Sequence, residues 1–551
     1  MSEALAQVAD DYWQAVASRE PTYYRHLLGD YSEVGRYADP SRESDRRFME
    51  TMRSITARSD AIDEHELDMT QKATRAALVS MGSAFADLVA SRLGDLHADP
   101  ISGIQLDLPL TLGLMTVPDA TVADQMPDKL DAIGAHLHLL AERVREAAAD
   151  GWVPADYLVR ETISQLESAL AVPMTDDPIV AAVGVPHGVE DEAFRDRLRR
   201  AVERSVRPGF AAYRDALRDV LPLARPEERC GLTWLDGGDA AYGAALRYFT
   251  TTDKSPEEIH EIGLAQVARL ADEYRALGPE VVGTDDLEAI LEAMRTDPML
   301  HFERAEELVE QSREALARAE SAMQDWFEVL PQAPCAVEGT DVGAIAFYFP
   351  PSNDGSRGGT FFVNTSDPSA WGRFELESMA FHEGVPGHHL QLAIAAELPD
   401  SIPAFLKYGD NSAYDEGWGL YSERLADEMG LYTAVIDRMG MYAGDSVRAC
   451  RLVVDTGIHA FGWSRQRAID YMVANSPLTE GICRPEVDRY VIYPGQATSY
   501  MIGRLEIQRM RAEAEQRLGE RFDIRSFHSA VLHTGALPLD VLDAVVAAKL
   551  T

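Results

Sequence analysis

Apolar residues recur at three- and four-residue spacing through most of this chain, and that period constrains the fold more than any other feature. Such spacing gives a helix one side to bury against a core. Residues 126–150, 255–277 and 302–330 show it, and it returns after residue 368. There it predicts helices at 371–384, 388–398, 412–429, 433–474, 496–517 and 538–550. Pro-rich stretches at 117–127, 173–187 and 222–227 read as the loops between helices. The expected class is mainly α, a large helical body in two lobes. The Pro/Glu/Arg/Cys/Gly run near 225–231 suggests an N-terminal lobe at 1–230 and a catalytic lobe at 231–551.

One region breaks the helical period. From Cys335 to Asp367 the chain reads CAVEG, AIAFYFPP, SNDGSRGG and TFFVNTS. Aromatic and β-branched runs around a Gly/Asn/Asp turn predict a small antiparallel sheet at 335–367. An exposed edge strand near 344–349 could hold an extended peptide by its main chain, or the hairpin could simply cover a core. SNDGSRGG lacks the Lys-Ser/Thr of a phosphate loop.

Charge and cysteine usage narrow the function classes. The formal net charge is −40, which repels phosphate backbones and anionic lipid, so no nucleic-acid or membrane partner is expected. No run approaches the roughly 18 apolar residues of a membrane span. The N-terminus, MSEALAQVADDYWQAVASRE, has neither the basic nor the apolar segment of a signal peptide, so the expected location is cytoplasmic. Cys230, Cys335, Cys450 and Cys483 are scattered without CxxC spacing, which disfavours a disulfide framework or a cysteine-based zinc site. Oligomeric state is not encoded in any of these features.

The chemistry concentrates just after the predicted sheet. Residues 381–391 read Phe-His-Glu-Gly-Val-Pro-Gly-His-His-Leu-Gln. A zinc hydrolase needs two neutral imidazoles, a third ligand, an open position for water and a carboxylate to take the water's proton. The common arrangement is His-Glu-x-x-His on one helix, with the histidines one turn apart. This run departs from it. His388 lies six residues after His382, about 600° around an unbroken helix and so on another face. His389, one residue further, regains the face but about 10.5 Å along the axis. Gly384, Pro386 and Gly387 make a straight helix implausible. The expectation is a bulge or kink at Gly384–Gly387 that brings His388 back to His382, with Glu383 as the general base. His389 is the alternative ligand, or a residue that orients a ligand or substrate.

Later segments offer the remaining groups. Residues 414–424, Tyr-Asp-Glu-Gly-Trp-Gly-Leu-Tyr-Ser-Glu-Arg, place Glu416 28 positions after His388, room for an antiparallel helix carrying the third ligand. Glu423, seven residues further on the same face, could bond to a ligand or meet a substrate amine. Tyr500, Tyr493 and His459 are candidates to stabilise an oxyanion, with Asp455 one turn before His459 to fix its tautomer. Arg357 and Arg504 could hold a substrate carboxylate. Taken alone, each of these has a bland reading as a solvated or core side chain. His65-Glu66 has Met69 where a second His belongs, and no Gly-x-Ser-x-Gly elbow occurs.

Three separated motifs, HEGVPGHHLQ, DEGWGLYSE and YPGQATSYMIGR, resemble the bacterial domain of unknown function 885, over most of the chain from DDYW onward. Gly-His-His-Leu-Gln is also similar to the Gly-His-x-Leu that closes the motif in several gluzincin families, where the His after Gly is the ligand. That favours His388 over His389. Met501 stands where relatives are expected to carry a basic residue. The resemblance implies a helical, metallopeptidase-like fold that binds Zn²⁺ through His382, His388 and Glu416. By analogy it implies hydrolysis of a short peptide or peptide-like amide. The rival readings are a metal-dependent hydrolase or lyase of a non-peptide small molecule and a non-catalytic metal-binding protein.

Overall fold

The computed structural model describes residues 1–352 and 357–551, so the turn expected at SNDGSRGG lies largely outside the described residues. The described chain is mainly helical, with one three-stranded sheet. The first predicted helix runs from Ala120 to Ala149 and starts earlier than expected. Asp119 caps it by accepting from Thr121 N at 2.8 Å and Val122 N at 3.0 Å, so Pro127 falls inside the helix and the expected loop is shorter. The stretch expected as one helix at 433–474 is two, Val435–His459 and Arg465–Asn475. Gly462, at φ +65°, turns the chain between them.

Two hydrophobic cores organise the body. One gathers residues mainly from 5–86, 232–446 and 501–550, the other mainly from 98–230 and 447–497. Each core therefore draws on both sides of residue 230. The Val435–His459 helix belongs to both. Twenty of its 25 residues are buried, so polar groups on it must find partners within the protein. Asp445 pairs with Arg504 and with Arg424, and Arg451 donates to Tyr490 Oη at 3.1 Å and to Glu486 at 3.0 Å.

The sheet has the order β1 (Cys335–Thr340), β3 (Gly359–Asn364), β2 (Ala346–Phe349). β2 and β3 pair antiparallel, with Phe347 opposite Phe362 and the rings stacked at 4.9 Å. β1 pairs parallel to β3, so the sheet is mixed and not the antiparallel one expected. The central place of β3 accounts for its continuous apolar run: Phe361 and Val363 are fully buried. β2 is left as an edge.

All four cysteines are free, three of them buried. Among the described residues one segment, Met69–Asp95, is long and apolar enough to cross a membrane by length and composition, contrary to the sequence expectation. Ala73, Ala77, Leu78 and Ala86 of that segment are buried in the first core, and the same length and composition suit a core helix.

Candidate metal centre

The His-Glu run folds as two helices and not as one distorted helix. Glu375–Glu383 ends at Gly384, the Val385–Pro386 peptide is cis, and His388–Glu397 begins directly after Gly387. The chain folds back tightly over the first helix end. A Cβ at Gly387 would lie 2.0 Å from the His382 carbonyl oxygen, so only glycine fits. Trp418 Nε1 donates to the Pro386 carbonyl at 2.9 Å, and Ser422 Oγ to the Phe381 carbonyl at 3.0 Å. The Ser412–Glu428 helix thus holds the turn from beneath. At Gly419 a Cβ would sit 2.7 Å from the His382 ring, so the Gly-Trp-Gly spacing is needed for that ring to fit.

This turn brings His382 and His388 face to edge, with ring centroids 4.7 Å apart. Glu416 Oε2 lies 3.5 Å from His382 Nε2 and 3.4 Å from His388 Nε2. One donor atom from each of the three residues lies within 4.8 Å of the others, so the three could together hold a metal ion. Glu423 completes the arrangement from behind. Its carboxylate accepts from His382 Nδ1 at 2.8 Å and from the Ser378 hydroxyl at 2.7 Å, which turns His382 Nε2 toward the cluster. His388 Nδ1 is buried without a hydrogen-bond partner among the described residues.

The electrostatics of the trio favour a cation. Burial alone would lower His382, but Glu416 and Glu423 outweigh it and lift the imidazole to about 9. His388 also rises, burial being outweighed by Glu416. Burial would raise Glu416, yet the two histidines hold it well below the usual carboxylate range. Glu383 is buried, and burial raises its carboxyl despite the two nearby imidazoles. A carboxyl lifted toward neutrality is suited to accept and return a proton.

These groups line a cavity of about 770 Å³. Its walls include Ala344–Tyr348 on and beside β2, together with Trp371, Met379 and Tyr500. Tyr500 stands on the helix Ser499–Leu518, which crosses the Glu416 helix at a Gly417–Gly503 contact too close for any side chain. Its ring lies under Arg451, 4.4 Å from the guanidinium carbon, and burial raises its hydroxyl.

Other expected residues do different work. His389 faces away from the trio. Its Nε2 donates to Ala333 O at 3.0 Å, and its Nδ1 accepts from Tyr348 Oη at 2.9 Å, tying β2 to the loop before β1. Burial lowers it to about 4. His459 is fully buried, accepting from Leu232 N at 3.2 Å and donating to Tyr490 O at 3.0 Å. It does not line the cavity, so it takes no oxyanion role here. Asp455 does not fix its tautomer, because that carboxylate is taken by Tyr242 Oη at 2.6 Å and Gly495 N at 3.0 Å. Arg504 is spent on Asp445, Tyr493 on Asp99 at 2.7 Å, and Arg357 on the Pro350 carbonyl at 2.6 Å while lying over Phe349. None of the three lines the cavity.

The cavity also contains residues that sequence reasoning passed over, chiefly Arg448, Arg451 and Arg489 with Glu486. Arg448 and Arg451 share a polar face with Asp445 and Asp455 on an amphipathic helix, which in sequence reads as a solvated face, and only the fold shows it buried.

The fold is mainly helical, with a small mixed sheet beside the motif cluster. The chain belongs to the family of bacterial proteins of unknown function DUF885, whose model matches residues 23–546. Among solved structures it is similar to "the putative lipoprotein from Colwellia psychrerythraea", with a TM-score of 0.91 and 25% identity over 99% of both chains. It also shares its fold with "a putative lipoprotein of unknown function from Shewanella oneidensis", with a TM-score of 0.75 and 19% identity over 99% of this chain and 100% of that one. A search among curated proteins finds no match.

Proposed function

We propose that this protein is a zinc-dependent hydrolase of gluzincin type, cleaving short peptides or peptide-like amides. The observation that carries this reading is the spacing of the trio. Two atoms each about 2.0–2.1 Å from one ion at the tetrahedral angle lie about 3.4 Å apart, against 3.4 and 3.5 Å for Glu416 and the two imidazoles. These distances are long for hydrogen bonds and suit shared coordination. Two imidazoles and one glutamate are a donor set used by catalytic zinc, with a fourth position open. Bound zinc supplies Lewis acidity, which polarises a carbonyl and activates water near neutral pH.

The remaining work belongs to the chain. Glu423 keeps the His382 proton on Nδ1, so Nε2 offers its lone pair to the cluster. Glu383 takes the proton of the attacking water and returns it to the leaving amine. Tyr500 on the cavity wall is the candidate donor to the developing oxyanion. The edge strand β2 offers main-chain groups to an extended substrate.

The test is Glu383→Gln. The variant is expected to keep one zinc per chain and to lose turnover by about 10²–10⁴-fold on a peptide and amide library. Undiminished turnover would remove Glu383 from the mechanism. Turnover confined to non-peptide substrates would keep the metal chemistry and remove the peptide assignment.

A further inference from the structure

The wall of the cavity formed by the Val435–His459 and Glu480–Ile492 helices carries three arginines, Arg448, Arg451 and Arg489. They sit in a chain with 91 acidic and 51 basic residues, where an internal gathering of guanidinium groups needs an explanation. Glu486 neutralises only part of it. It accepts from Arg451 at 3.0 Å, from Arg489 at 3.3 Å and from Tyr490 Oη at 2.6 Å, one carboxylate against two guanidiniums.

Of the other acids on the cavity wall, Glu383 is the general base of the proposed reaction and the rest are committed elsewhere. Glu375 accepts from Gly372 N at 3.0 Å, and Glu416 lies between the two imidazoles. Glu423 is taken by His382 and Ser378, and its distance to Arg448 Nη2 is 3.8 Å, beyond a hydrogen bond. Asp415 accepts from Asn411 N at 3.1 Å and from Gln391. Among the described residues, two buried guanidinium nitrogens on this wall have no hydrogen-bond partner, Arg451 Nη1 and Arg448 Nε. Arg451 is only 7% exposed, a costly place for an unpaired donor.

We infer that Arg448 and Arg451, with Arg489 behind them, form a subsite for a carboxylate carried by the substrate. The inference rests on the hydrolase reading and extends it to substrate class: a peptide or amide whose acidic group docks on this wall while its amide lies at the trio. Planar guanidiniums match a carboxylate in paired hydrogen bonds, and those of Arg448, Arg451 and Arg489 line the cavity. The proximity is short in chain terms. Glu423 contacts His382 on one side and lies 3.8 Å from Arg448 on the other, and Tyr500 lies under Arg451 in the same cavity as Glu416. The carboxylate could be the C-terminus of a peptide or an acidic side chain, and the test separates these sources.

The experiment measures calorimetric binding of three N-acetylated tetrapeptides to metal-free protein. One has a free C-terminus, one is its C-terminal amide, and one is that amide with a glutamate side chain in the last position. Metal-free protein is chosen because the arginine wall contains no metal ligand, so the result stands whether or not the zinc reading does. The expected result is about 10–100-fold tighter binding of at least one carboxylate peptide than of the neutral amide. Tighter binding of the first assigns the C-terminus, and of the third the side chain. Arg448→Gln is expected to erase the difference. Arg451→Lys, which keeps the charge but loses the planar fork, should reduce it and guards against misfolding of the first variant. Equal affinity for all three peptides, or no binding by any, overturns the subsite. Failure of zinc-loaded protein to hydrolyse peptides would instead overturn the hydrolase reading.

Discussion

Two buried polar clusters meet the Val435–His459 helix, and they answer burial in opposite ways. Around His459 every polar group is spent inside the chain. Leu232 N and Tyr490 O occupy the two ring nitrogens, and Asp455 is taken by Tyr242 and Gly495. Burial then lowers His459 to about 3. Around His382 the groups face one another and a cavity, and the same residue type rises to about 9 although burial opposes it. Burial of a titratable residue therefore marks no site on its own. Capacity left over after the chain has satisfied itself is the distinguishing property.

Exchanging the two histidines' fates gives the sharpest contrast. His388→Ala is expected to reduce bound zinc from one per chain to none after dialysis, measured by elemental analysis, and activity should vanish with it. His459→Leu should keep its zinc and lose stability, because Leu232 N and Tyr490 O would be left buried and unpaired. Each such group costs about 1–3 kcal/mol, readable as a shift of the urea midpoint. Loss of zinc from a folded His459→Leu protein would collapse the distinction. A smaller effect is expected at Glu423→Gln, which keeps an acceptor for His382 Nδ1 and removes its charge. Zinc affinity should fall about 10–100-fold in a chelator competition, with the fold unchanged. Unaltered affinity would reduce Glu423 to a packing residue.

Much of this contrast was legible in the sequence, and the failures have definite causes. The helix-breaking Gly-Val-Pro-Gly segment announced that His382 and His388 converge only through a backbone distortion. The form, a full break between two helices, depends on contacts from Trp418 and Ser422 that lie more than 30 residues away. Glu416 and Glu423 were found because they follow at helical spacing from a known motif. His459 and Arg504 were misjudged because chemistry-bearing residue types look identical in sequence whether or not a distant partner, Leu232 N or Asp445, has already claimed them. The strand directions were half legible. A turn between adjacent runs predicts the β2–β3 pairing, but nothing local records that β1 pairs with the third strand and not the second.

The smallest and most discriminating effect is expected in the pH dependence of stability. In metal-free protein His382 is held at about 9 against an ordinary 6.5, so the folded state keeps a proton that the unfolded chain has lost. That contribution is fully present below about pH 6.5 and disappears as pH rises through about 9. His459, at about 3, has the opposite sign, as does the fully buried His528, also at about 3. Their contributions are present above pH 6.5 and are lost as pH falls from there toward 3, because the unfolded chain takes up protons the folded state refuses. The His382 contribution to melting temperature should therefore fall above about pH 6.5, and the His459 and His528 contributions below it. On the proposed zinc site the metal would compete with the His382 proton, so zinc-loaded protein should lose the alkaline decline and keep the acid one, and zinc affinity should rise with pH up to about 9. Calorimetric scans from pH 4 to 10, with and without chelator, resolve the two limbs. An alkaline limb that zinc leaves unchanged would show that the His382 cluster, like the His459 cluster, has nothing left to give a ligand.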